Sequence, residues 1–175
     1  FEKRDGLLRK SVEGVDREQL RKAVVAGLRN EDGRARGVLG SVYENLSFQE
    51  LQPILPAIYE AIVKPAPSGE MFADGVRLAG LDLLARNHIK EGLPLCISLM
   101  EINRHGKKDR IPRCLESLAR YGGAAKPLLP ELRQMEKDLR AHSEAKMLKP
   151  QIDSLNAIIK NIERAPGTVE LRSLN

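Results

Sequence analysis

Five basic side chains fall within ten residues of this 175-residue chain: Arg104, Lys107, Lys108, Arg110 and Arg113, with Asp109 the single acid among them. Such a cluster attracts phosphate, nucleic acid or an acidic protein surface. Lys126, Arg133, Lys137 and Arg140 continue it further along. A solvated loop and helix start, keeping the protein in solution, is the plainer account of the same residues. The net charge of +5 is compatible with both. Residues 1–70 balance at 11 basic and 11 acidic side chains, and residues 71–175 hold 18 and 13, so the excess lies in the later part.

Other chemistry finds less footing. A metal site requires clustered His, Cys, Asp or Glu at ligand spacing. His88, His105 and His142 stand far apart, and none is within four residues of Cys96 or Cys114. Nucleophilic catalysis requires Ser, Cys or Lys beside a positioned base; Cys114 with His88 or His105 is a conceivable pairing, but nothing in the spacing demands it. Asp74 and Asp109 would make a carboxylate pair on neighbouring repeats, yet helix capping explains both. Gly37 and Gly40 read as close-packing positions inside a helix rather than a phosphate loop, since no strand precedes them. No catalytic residue, metal or cofactor is expected. Cys96 and Cys114 each sit in an apolar helical run and read as buried free thiols. Reduced thiols fit the cytosol, and a secreted parent protein fits as well.

The elements that must carry these residues are helices. Aromatic residues make up 3% of the chain, Trp is absent, and Leu, Ala and Ile supply the apolar positions. No apolar run approaches 18 residues, so no membrane-spanning helix is expected. The chain opens on Phe1, Glu2, Lys3 and Arg4 and reads as a fragment of something longer.

Three segments share a pattern. Residues 32–42 pair with 53–62, residues 74–84 with 92–100, and residues 108–118 with 127–135. Leu39, Leu81 and Leu115 correspond in the first halves, as do Val42, Leu84 and Leu118. In the second halves Leu55-Pro56, Leu93-Pro94 and Leu129-Pro130 correspond. Asp32, Asp74 and Asp109 are expected as helix N-caps. Proline opens each second helix, where a missing N–H matters least. Ser47 with Glu50 fits a capping box, and Gly122 with Gly123 a helix stop. Outside the pairs, Asp16 caps a helix to about Leu28, with Leu20, Val24 and Leu28 on one face. A shorter helix over 7–12 precedes it. Lys149 and Pro150 start a last helix with Ile152, Leu155, Ile159 and Ile162 on one stripe, ending at 165–167. The tail, 168–175, is either a docked extended segment or mobile.

These pairs resemble HEAT repeats: an Asp near the start of the first helix, an Arg and a small residue inside it, and Leu-Pro opening the second. The likeness covers residues 32–142. It departs from the pattern in the long stretch 44–52 and in Pro112, placed in the first turn of its helix; the three-helix armadillo repeat stays open for the first pair. The resemblance implies a right-handed α-α superhelix, an α-solenoid of three hairpins. Residues 1–31 and 143–167 would be terminal helices covering its ends, and 168–175 a tail, all in one domain. It implies a role rather than a reaction: a non-catalytic module contacting a protein partner or other domains of the parent chain. The second helices would line the contact face, with Glu60, Ser98, Glu101, Glu131 and Gln134 as candidates. The alternative is electrostatic binding of phosphate or nucleic acid through 104–113. Some HEAT-like proteins are DNA glycosylases that rely on aromatic residues around a catalytic Asp. Here Tyr121 is the only aromatic after Phe72, which argues against that activity and against base stacking.

Overall fold

The computed structural model describes residues 14–43, 46–69, 72–167 and 169–174. The short helix expected over 7–12 lies outside them. The chain is all-helical. Among the described residues no strand forms, and extended pairing is confined to two isolated parallel bridges, Asp32 with Ser68 and Ile89 with Arg172.

Local chemistry sets most helix starts. The Asp16 carboxylate accepts from the Glu18 and Gln19 amides at 2.8 and 3.1 Å and opens α1, Arg17–Leu28. Val24 and Leu28 are buried on its inner face, whereas Leu20 is only half-buried. Asp32 accepts from the Arg34 amide at 2.9 Å and opens α2, Gly33–Gly37. This helix passes at once into a 3-10 turn, Val38–Ser41, so the first half of the first pair is two short pieces. Leu39 and Val42 are accordingly half-buried, while Leu81, Leu84, Leu115 and Leu118 are buried. The capping box closes in both directions between Ser47 and Glu50 at α3, Phe48–Leu51. A 3-10 turn, Gln52–Ile54, leads into α4, Leu55–Val63. There follow α5 (Asp74–Arg86), α6 (Gly92–Ser98), α7 (Lys107–Arg120), a 3-10 helix (Gly123–Leu128), α8 (Leu129–Ala141) and α9 (Lys149–Arg164). Pro56, Pro130 and Pro150 each sit in the first turn of their helix, as expected for a residue without an N–H.

Three expectations are corrected. Asp74 is the first residue of α5, and Asp109 the third of α7, so neither is the cap itself. The cap of α7 is Gly106, at φ +82°, a left-handed backbone that glycine takes without steric penalty. Both acids still lie in a first turn, where the helix dipole favours negative charge. Pro112 is the sixth residue of α7 rather than part of its first turn. Its missing N–H deprives the Lys108 carbonyl of the helical partner, and the Gln151 side-chain amide from α9 donates there instead, at 3.0 Å.

Internal contacts divide the chain into two compact units, Phe1–Gly80 with Leu174–Asn175, and Leu81–Ser173; the division falls inside α5. In the first unit α1 packs on α2, α3 and α4, around Leu28, Tyr43, Leu55, Ile58 and Ile62. Close backbone approach there depends on glycine: a Cβ on Gly40 would lie 2.9 Å from the Gly75 carbonyl oxygen. In the second unit α6 packs on α7, and α9 on both α7 and α8. Ile152, Leu155, Ile159 and Ile162 form the buried stripe of α9 as their spacing required.

Candidate interaction surface

The basic cluster does not present itself as one exposed set. Arg110 is 1% exposed. Its guanidinium donates to the main-chain carbonyls of Met100 (3.4 Å), His105 (3.0 Å), Glu101 (3.1 Å) and Arg104 (3.3 Å), and its Nε lies 3.5 Å from the Glu101 carboxylate. The segment between α6 and α7 is thus wound around a buried cation. Glu101 takes a left-handed backbone, φ +41°, within it. Arg104 pairs with the same carboxylate at 2.8 Å. Lys107 pairs with Glu144 at 2.6 Å, and this ammonium holds the Glu144 carboxyl below its ordinary pKa. Lys108 is exposed and directs its ammonium at the Met147 sulfur, 3.6 Å away. Arg113 is exposed. Around the start of α7 lies a groove of about 260 Å³ lined by His105, Lys107, Lys108, Asp109, Glu144 and Met147. Two acids therefore share that groove with the lysines.

The candidates on the second helices are also distributed unevenly. Glu131 and Gln134 are exposed one turn apart on α8, Gln134 donating to Asp138 at 2.8 Å. Ser98 is exposed at the end of α6. Glu60 is half-buried on α4, and its hydrogen bond from Lys64, 2.6 Å, lowers its pKa. Glu101 lies beyond α6 in the Arg110-centred segment and is half-buried.

A role that residue spacing alone did not assign belongs to the arginine recurring in each first half. Arg36, 8% exposed, donates to the carbonyls of Asn30 (2.5 Å) and Lys64 (3.0 Å). Arg77 donates to the Ile62 carbonyl at 3.2 Å. With Arg110, each of the three supplies donors to carbonyls at or just beyond a helix C-terminus, groups the helix itself leaves unpaired. The signal was present as an arginine in each first half, but its offset from the aspartate changes from repeat to repeat.

Elsewhere the reactive residue types are enclosed or apart. Cys96 and Cys114 are buried and form no disulfide, and burial raises the Cys96 thiol pKa. His142 Nδ1 accepts from the Glu144 amide at 3.0 Å. His88 ends α5 at φ +53°, with its own amide bonded to Ala85 and the Ile89 amide to Leu84, the paired bonds of a Schellman motif in which glycine is usual. Among the described residues no group of three or more His, Cys, Asp or Glu is placed to hold a metal ion, and no helix is long and apolar enough to cross a membrane.

A second groove, of about 340 Å³, runs along α1. Val25, Ala26 and Ile54 supply apolar lining, and Glu18, Arg21, Lys22 and Arg29 the charged lining. Comparison with protein-family models, with curated proteins and with solved structures finds no match to this chain.

Proposed function

We propose that the chain is a HEAT-like helical-repeat module that contacts a protein partner or other domains of its parent protein, without catalysis. The observation that carries this reading is the α1 groove. Apolar lining beside charged side chains is the anatomy of a protein contact, and it lies on a helix expected to close one end of a repeat stack, where a purely polar outer face would serve solubility alone. The recurring Arg36, Arg77 and Arg110 support the repeat architecture, since each braces a helix end with the first helix of a pair. Glu131 and Gln134 on α8 are a second candidate face. The test is capture of partners by the full chain and by Ala26→Arg and Glu131→Arg/Gln134→Arg variants. Loss of a specific partner with either variant is expected; retention of every partner by both would end the reading.

The alternative, phosphate or nucleic-acid binding, draws its support from Lys108 and Arg113, exposed along α7. It predicts an affinity for single- or double-stranded DNA that falls steeply with salt and drops in Lys108→Gln/Arg113→Gln. Affinity unchanged in that variant would dispose of it.

A further inference from the structure

The turn after α5 and the tail of the chain meet through their main chains. The Arg172 amide donates to the His88 carbonyl at 2.9 Å, and the Lys90 amide donates to the Arg172 carbonyl at 2.8 Å. These two bonds bracket Arg172 as in a parallel β ladder. The side chains of Leu171, Arg172 and Ser173 are exposed. The main-chain pairing therefore does not itself read which residues lie there. The receiving edge is rigidly built: the Schellman bonds hold His88 left-handed, Ile89 is fully buried, and the Tyr121 hydroxyl donates to the Ile89 carbonyl at 2.7 Å.

One side chain of the turn does read the tail. The Ser173 hydroxyl donates to Glu91 Oε1 at 3.2 Å. The other carboxylate oxygen, Oε2, is buried and accepts no hydrogen bond. Lys90 Nζ is 3.9 Å from Oε1, beyond hydrogen-bonding distance. A buried carboxylate oxygen without a donor is an unfavourable arrangement. Serine has one hydroxyl proton and cannot serve both oxygens, whereas a guanidinium donates to both in its ordinary bidentate geometry.

We propose that residues 88–91 form a docking site for an extended peptide, entered by parallel main-chain pairing. The chain's own residues 171–173 occupy it in cis, and its preferred ligand carries arginine at the position of Ser173. This site stands independently of the α1 groove and of the interaction role proposed above.

The test uses the full chain and amide hydrogen exchange read by NMR. Ser173→Arg is expected to slow exchange of the Lys90 and Arg172 amides about tenfold, the gain of a charge-assisted bidentate contact. Glu91→Gln is expected to abolish that gain while helical circular dichroism stays unchanged. A peptide Val-Glu-Leu-Arg-Arg-Leu-Asn is then titrated into the unaltered chain to several times the effective concentration of the tethered tail, on the order of millimolar. The expected result is loss of protection at Arg172 with protection retained at Lys90, because the peptide replaces the tail on the same edge. No gain from Ser173→Arg, or an equal gain with Glu91→Gln present, overturns the role of Glu91. Protection at Arg172 that persists through the titration overturns the docking site.

Discussion

Replacing Arg110 by methionine tests how the second unit is held together. Methionine keeps much of the side chain's volume and removes its charge and all its donors. Arg110 serves four main-chain carbonyls and the Glu101 carboxylate from a position that is 1% exposed. At about 1 kcal/mol net for each carbonyl contact, the loss is about 4 kcal/mol. Glu101 keeps its ion pair with Arg104 at 2.8 Å, so the change strands no carboxylate and the loss is that of the carbonyl contacts. A domain this size has on the order of 5–15 kcal/mol to lose, so the variant should be folded but visibly weakened. The assay is urea denaturation followed by helical circular dichroism, with amide exchange across 99–106 as the local readout. Arg110→Lys separates charge from geometry: a lysine ammonium has three donors and no planar fork, so it should recover only part of the loss. The contrary results are a cost for Arg110→Met of less than about 1 kcal/mol, or unaltered exchange in 99–106. Either result would mean that the segment between α6 and α7 does not depend on its buried cation.

Three further outcomes are expected. Tyr43 is 2% exposed and its hydroxyl has no hydrogen-bond partner, so Tyr43→Phe should leave stability unchanged or raise it by up to about 1 kcal/mol in denaturation; a clear loss would refute this. Gly40→Ala should destabilise by about 1–3 kcal/mol, because its Cβ would meet the Gly75 carbonyl oxygen at 2.9 Å and the Ala79 Cβ at 3.0 Å; helix propensity alone predicts the opposite sign. The Glu50 carboxyl is held below its ordinary pKa first by the Ser47 amide and then by the Ser47 hydroxyl. Its contribution to stability is therefore complete above the unfolded value, about 4.3, and is lost as pH falls through the lower folded one. The melting difference between the unaltered chain and Glu50→Ala, present near neutral pH, should close in strong acid.

Residue types and short spacings carried the local structure. Asp16, Asp32 and the Ser47–Glu50 pair cap helices because a side-chain oxygen two or three residues from an unpaired amide reaches it without help from the rest of the chain. The four-residue stripe of α9 and the prolines opening α4, α8 and α9 are equally local. Asp74, Asp109 and Pro112 lie further into their helices than their residue types suggest. At α7 the start is set by Gly106, which turns left-handed three residues before Asp109, and an acid inside the first turn looks much like one at its edge.

Composition and residue spacing are enough to make this chain helical, to place each helix roughly, and to put its thiols in apolar runs that become buried. Which charges face water depends on how the helices pack. Arg110, Lys107 and Arg113 look alike as letters, yet one is enclosed by four carbonyls, one is tied to Glu144 and one is exposed. A long cationic side chain goes wherever unpaired acceptors are brought within its reach, and those acceptors are main-chain carbonyls whose positions exist only once the helices have packed. The seating of the tail against His88 and Lys90 follows the same physics, since a main-chain hydrogen bond leaves no mark on the residue types that make it.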